Sequence, residues 1–145
     1  MIVLNVLVNQ IFENYVDWDR PAMKSGWVFL KKEVAKATIN KLNEKEIQVL
    51  ATKLAKEVMK DTLLAMKGRF DLDTWMAITR HRSTRSNFNY QQSSKDGNIR
   101  IIINHEMGSK WSIFHKWYYQ KMLKDLGARV IVDYTDKTIV LNIKT

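Results

Sequence analysis

The sequence predicts an α+β fold, in which a helical N-terminal half precedes a ββαββ unit that forms a mainly antiparallel four-stranded sheet with helices packed on one face. Three observations predict it. Apolar residues recur at helical spacing through the first half of the chain. β-rich runs gather in the second half, where Asp96 and Gly97 give a strong hairpin signal between two of them. Apolar residues make up 46% and charged residues 27% of the 145 residues, as is typical of a globular domain.

The first predicted element is an amphipathic helix over residues 2–18. Its apolar residues recur three and four positions apart and form one wide stripe along the helix surface. The stripe includes Leu4, Leu7, Ile11 and Tyr15. A one-sided helix near a chain end has little of its own chain to cover it, and exposed apolar patches of this kind mark interfaces. We therefore expect these four residues at or near a homodimer contact, with Pro21 ending the helix soon after Trp18.

Three more helices are predicted before the strands. One spans residues 31–42, and the next runs from Glu44 to Lys67, with Asn43 and Glu46 spaced as a capping box. Gly68 is expected to end it. A fourth helix begins after Asp71 or Asp73, either of which can cap it.

The sequence of the second half predicts two β-hairpins separated by a helix. Strands are expected over 87–92, 99–104, 129–134 and 138–143, and the helix over 109–126. The change from helical to β-rich pattern predicts two regions: residues 1–69 as a helical dimerisation or regulator-like region, and residues 70–145 as an α+β domain.

The composition restricts the function. Lys and Arg exceed Asp and Glu by +9, which favours acidic partners such as nucleic acid. The absence of cysteine excludes disulfides, thiolate metal sites and cysteine nucleophiles. No nucleophile elbow, phosphate loop or dinucleotide fingerprint is present, so we expect no enzyme activity and no cofactor.

Metal binding and membrane insertion are not expected either. Three scattered histidines without cysteine pack or titrate more often than they bind metal. The early apolar stretch 1–8 is too short and too polar to span a bilayer, and it lacks the features of a signal peptide. A cytoplasmic location and no membrane partner are therefore the expectation.

Two basic groups are candidates for phosphate contacts. The first contains Arg80, Arg82 and Arg85, among hydroxyl and amide side chains, and the arginine fork suits phosphate oxygens. The second is a lysine stripe on the third helix that contains Lys53, Lys56 and Lys60. Each group has an alternative interpretation as a solvated helix face.

Trp117 is a second candidate for a contact between copies of the chain. It points almost opposite to Trp111 and Phe114 on the predicted helix 109–126, among lysines. Tryptophan is enriched in interface hot spots. The alternative is a helix that is buried on two sides within one chain.

Two segments resemble a known group of proteins. Leu4-Asn5-Val6-Leu7-Val8-Asn9-Gln10-Ile11 resembles the second helix of ribbon-helix-helix DNA-binding domains, and more closely a group of archaeal proteins in which that module precedes an α+β domain. Asn104-His105-Glu106-Met107-Gly108-Ser109-Lys110-Trp111-Ser112 resembles a strand-to-helix junction in the same group. The resemblance implies a regulator-like protein that dimerises. The DNA-reading strand and the first helix of such a module have no counterpart in this sequence. Either the chain is truncated or it has lost these elements. The resemblance therefore assigns no base-reading residue.

Together these observations predict a non-enzymatic, dimeric, DNA-associated or transcription-regulator-like protein. Its expected partners are a second copy of the chain and nucleic acid. The alternative is a sensory or assembly module that binds a small ligand between its sheet and helices.

Overall fold

A computed structural model of the chain describes residues 3–145 and has the predicted α+β architecture. The helices are α1 (Leu4–Asn14), α2 (Arg20–Lys24), α3 (Lys32–Ile39), α4 (Glu44–Glu57), α5 (Met59–Lys67), α6 (Leu72–Arg85) and α7 (Ser109–Asp125). The strands are β1 (Asn89–Lys95), β2 (Asn98–Asn104), β3 (Arg129–Tyr134) and β4 (Thr138–Lys144). The ββαββ order of the second half is therefore confirmed.

The four strands form one antiparallel sheet in the order β1-β2-β4-β3. Asp96 and Gly97 join β1 to β2 with φ angles of 51° and 75°, the left-handed pair that a tight two-residue hairpin requires. Helix α7 then carries the chain from β2 past β4 to the outer strand β3.

Only one face of the sheet is buried. Ile101, Leu141 and Val132 alternate with exposed or partly exposed neighbours along their strands and join the core with Tyr119 and Leu123 of α7. The prediction of helices on one face is thus confirmed.

Helix α7 is also covered on its second side. Ile113 lies there in a small cluster with Ile39 at the end of α3 and Ile47 of α4. Helix α4 packs along α7, so α7 is a central element between the sheet and the N-terminal helices.

One hydrophobic core runs through both halves of the sequence. It includes Trp18 and Ala51 from the first half and Trp75, Ile101 and Ile143 from the second. The two regions predicted from the sequence, residues 1–69 and 70–145, therefore contribute to the same core. Their division at residue 69 stays a prediction.

The first helix differs from the prediction at its C-terminal end. Pro21 does not end the helical path, since it occupies the first turn of α2, where its missing N–H costs no hydrogen bond. Residues Tyr15–Asp19 connect α1 to α2 as a π-helical turn. No helix within residues 3–145 has the length and apolar composition needed to cross a bilayer.

Other element boundaries also differ, and α3 is shorter than the predicted helix 31–42. The predicted helix 44–67 is divided at Val58 into α4 and α5, although the Asn43–Glu46 capping box and the Gly68 end are confirmed. Helix α6, capped by Asp71, continues to Arg85. The first strand begins two residues later than predicted, at Asn89.

Candidate functional site

The apolar stripe of α1 is exposed along its whole length. No residue of α1 is buried. The exposed fractions of Leu4, Leu7, Ile11 and Tyr15 are 74%, 41%, 56% and 47%. Their spacing places them on one side of the helix, as the sequence predicted. The described part of the chain therefore leaves an apolar surface open where the contact between copies was predicted.

A second exposed apolar segment follows α2. Val28 and Phe29 are 82% and 95% exposed, in a stretch with neither helical nor strand structure. The adjacent Trp27 instead packs on Trp18, with 5.3 Å between the ring centroids. The exposed apolar surface of the N-terminal region thus includes more than α1.

The predicted arginine cluster separates into three different environments on α6. Arg80 is exposed, whereas Arg82 is half-buried. Arg85 forms an ion pair with Asp19. The helix faces explain the separation, because Arg82 lies three and four positions after Thr79 and Ile78 on the buried side of α6. The sequence pattern set no end to this helix, so it did not separate the buried side of the helix from the exposed side at the three arginines.

Arg82 connects α6 to α7 through polar contacts beside the core. Its Nη2 atom donates to His115 Nε2 at 2.8 Å and to the Tyr119 hydroxyl at 2.9 Å. The His115 Nδ1–H donates to the Trp111 carbonyl at 2.9 Å, so Nε2 is the unprotonated acceptor. Burial lowers the pKa of His115 well below its usual value, and the nearby Arg82 charge lowers it further. His115 is therefore a neutral acceptor for the Arg82 guanidinium.

The exposed basic residues near the end of α6 surround His81. His81 stacks on Trp18 with ring centroids 6.0 Å apart. Burial lowers the pKa of His81, and the charges of Lys67, Arg80 and Arg85 lower it further. Basic side chains and the carboxylates of Asp17 and Asp19 therefore lie together where α5, α6 and the π-helical turn meet. Of the three predicted arginines, this surface of mixed charge includes Arg80 and Arg85.

The three predicted lysines also differ from one another. All three are exposed. Lys53 lies 4.0 Å from the Glu57 carboxylate, and the Lys60 ammonium lies 5.7 Å from the centre of the Phe70 ring. Lys56 has neither kind of contact among the described residues. These lysines and Arg80 stay predicted phosphate contacts.

Trp117 is partly buried against the small cluster of Ile39, Ile47 and Ile113. The Lys116 ammonium lies over its ring, 5.1 Å from the centroid. This packing gives Trp117 a role within the chain and corresponds to the alternative of a helix buried on two sides. A role for Trp117 in a contact between copies of the chain stays a prediction. Trp117 exposes less surface for such a contact than the α1 stripe does.

A buried histidine network fixes the junction between β2 and α7. The Met107 amide donates to His105 Nδ1 at 2.8 Å, so the proton of the ring is on Nε2, 2.7 Å from the Ser112 hydroxyl. That hydroxyl donates to the Thr135 carbonyl at 2.6 Å. Burial lowers the pKa of His105 to about 4. Residues 3–145 contain no group of three or more acidic or histidine side chains placed to hold a metal ion.

The chain matches no known protein-family profile, and no curated protein matches it. The surfaces described above are therefore the basis for inferring its function.

Proposed function

We propose that the protein is a non-enzymatic, DNA-associated or transcription-regulator-like protein that works as a homodimer. The exposed apolar stripe of α1 carries the proposal, since a stripe of this kind on a folded chain marks an interface. In the proposed dimer, two α1 helices pack against each other, and basic side chains elsewhere contact phosphate.

The charge of α1 favours a second copy of the chain over other partners. Residues 3–19 contain no lysine or arginine, although the whole chain carries a net charge of +9. A helix that lies on an anionic membrane or along a nucleic-acid backbone needs basic residues beside its apolar face. Pairing of two such helices brings apolar surfaces together without opposing two positive surfaces.

Self-association is tested by sedimentation equilibrium at micromolar concentration. We expect a dimer, and we expect the double change Leu7→Asp and Ile11→Asp to give a monomer of the 17.1 kDa chain mass. The matched control is Val49→Asp, at a 62% exposed apolar position on α4, which should leave the dimer intact. A monomeric wild-type chain would contradict the proposal.

Phosphate contact is tested by fluorescence anisotropy with an arbitrary DNA duplex at several salt concentrations. We expect weak binding, with Kd on the order of 10⁻⁴–10⁻⁶ M at physiological salt. Arg80→Gln combined with Lys56→Gln removes two exposed charges that the structure leaves without ion pairs among the described residues. The slope of log K against log salt should become shallower by about 0.9 for each lost contact.

The control for that experiment is Lys95→Gln combined with Lys144→Gln, at the far end of the β1–β2 hairpin and the C-terminal end of β4. Arg82 is not used, because its loss would disturb the contacts with His115 and Tyr119. Salt-insensitive binding by the wild type, or an unchanged slope in the double variant, would remove phosphate contact from the proposal.

A further inference from the structure

A cleft of about 390 Å³ lies where the start of α3 faces the sheet edge and the junction between β2 and α7. Its walls come from separate parts of the chain: α3, the connection between α6 and β1, and residues 104–107. Its lining includes neither residues of α1 nor the basic residues of α4, α5 and α6 discussed above. A concave site with polar groups converging from several elements is the usual form of a small-molecule site.

Two lysines form one wall of the cleft. Lys32 and Lys36 are one turn apart on α3, so both side chains extend on the same side of the helix. The Lys32 ammonium lies over the Phe88 ring, 5.0 Å from its centre. The side chain of Lys36 passes beside Gly108, where an added Cβ would lie 3.8 Å from Lys36 Cε. The Phe88 ring thus contacts the Lys32 ammonium group, and the exposed Lys36 side chain extends beside Gly108.

Two glutamates balance that positive charge. Glu33 and Glu106 line the same cleft. Among residues 3–145, no ion pair within 4.0 Å joins these carboxylates to Lys32, Lys36 or any other cation. The cleft therefore holds two positive and two negative groups that do not neutralise one another by direct pairing.

Uncharged polar groups complete the lining. Asn87, Asn89 and Asn104 each offer an amide that can donate and accept hydrogen bonds. The His105 ring also borders the cleft, but both of its nitrogens are bonded to neighbours within the chain. The lining therefore has no net charge and suits a ligand that carries both charges.

The backbone at Glu106 is a separate observation that concerns the same cleft. Its φ angle is 55°, in the left-handed region, where a residue other than glycine costs about 1 kcal/mol or more. The Glu106 amide is held there by the Lys137 carbonyl at 3.1 Å. Glycine would fit this position without that cost, so Glu106→Gly can remove the carboxylate without straining the backbone.

We propose that this cleft binds a small zwitterion of the α-amino acid class, with its carboxylate against Lys32 and Lys36 and its ammonium group against Glu33 and Glu106. An anion without a positive group would be attracted by the lysines but repelled by the glutamates. A cation without a negative group would be attracted by the glutamates but repelled by the lysines. Only a ligand with both charges gains from both the lysines and the glutamates. This binding would make the protein a sensor of a small metabolite, in addition to its proposed self-association and phosphate contacts.

The test is a titration of the intact chain, followed by ¹H–¹⁵N NMR, with a panel of L-α-amino acids at millimolar concentration. Acetate, methylammonium and inorganic phosphate are titrated separately as single-charge probes. We expect at least one amino acid to shift the amide signals of residues 32–36 and 104–107, and each single-charge probe to bind at least about tenfold more weakly. No response to any amino acid overturns the proposal, and so does acetate or phosphate binding as tightly as the best amino acid.

Two pairs of matched variants assign the contacts. Glu106→Gly should weaken amino acid binding at least about tenfold without lowering the melting temperature, since glycine relieves the left-handed backbone. Asp96→Gly removes the same charge at another left-handed residue, in the β1–β2 turn, and should bind normally. Lys36→Gln should weaken binding, whereas Lys56→Gln on α4 should not. Unchanged binding by Glu106→Gly would overturn the proposal.

Discussion

Helices α1 and α7 have similar composition patterns but opposite surroundings. Both carry aromatic and aliphatic residues at helical spacing, and both have few acidic residues. Helix α7 is covered by the sheet on one side and by α3 and α4 on the other, and seven of its residues are buried. Helix α1 has no buried residue. An apolar stripe in the sequence therefore shows that a partner surface is needed, but it does not show whether the same chain supplies it.

The largest contrast is expected from apolar truncations in the two helices. Leu123→Ala in α7 removes a fully buried side chain and should lower the free energy of unfolding by about 2–5 kcal/mol. Ile11→Ala in α1 should change it by less than about 0.5 kcal/mol when the chain is dilute enough to be monomeric. Urea denaturation followed by circular dichroism measures both values. Similar losses in the two variants would show that α1 is packed by its own chain.

A second contrast separates two arginines on α6. Arg82→Ala leaves the His115 acceptor without its donor and should lower the free energy of unfolding by about 1–3 kcal/mol. Arg80→Ala, only two residues away on the exposed side, should have an effect near zero. The same denaturation experiment compares them. Equal effects would mean that the Arg82 contacts contribute little to stability.

Acidification should lower the free energy of unfolding, because three histidines are partly or fully buried in the folded chain. An unfolded histidine binds a proton near pH 6.5. Burial lowers the pKa of His105 to about 4 and that of His115 well below its usual value, and it shifts that of His81 in the same direction. Below pH 6.5 the unfolded chain therefore binds more protons than the folded chain.

The free energy of unfolding should then fall with pH by up to about 1.4 kcal/mol per pH unit for each histidine, and for His105 this continues down to about pH 4. Urea denaturation between pH 6.5 and 5 measures the slope, and His105→Gln should make it shallower. A flat profile over this interval would mean that these imidazoles accept protons without unfolding.

The smallest expected effect concerns how helices begin. Helix α4 starts with a complete capping box, whereas the residue before α1, Val3, offers no side-chain hydrogen bond. Asn43→Ala should lower the free energy of unfolding by about 1 kcal/mol. Asn40→Ala, in the turn after α3, serves as the control and should have a smaller effect. Equal effects of the two changes would show that the cap adds no stability.

The sequence predicted the C-terminal half more completely than the N-terminal half. Local signals such as Asp96–Gly97 and Gly127 set the hairpin and the end of α7, and alternating apolar residues such as Ile101 and Ile103 identified the strands. The division of the long helix at Val58 had no such signal, since residues 44–67 contain neither glycine nor proline.

The candidate sites were predictable only in part. The α1 stripe follows from periodicity alone. The environment of Arg82 depended on the true end of α6, and its partners His115 and Tyr119 lie more than thirty residues away in sequence. The cleft joins residues of α3 to residues 104–107, and no local pattern indicates that these segments meet.

The π-helical turn at Tyr15–Asp19 determines which way the α1 stripe faces. In an unbroken α-helix, Leu4, Ile11 and Tyr15 would lie in line with Trp18 and Ala22, which are both buried in the core. A π-helical turn accommodates an extra residue, which rotates the stripe by roughly 100° relative to helix α2. Deleting one residue from this turn would rotate the stripe back by about the same angle relative to α2, into line with Trp18 and Ala22. In the proposed dimer, a change in length of a single codon would thus reorient the contact between the two copies.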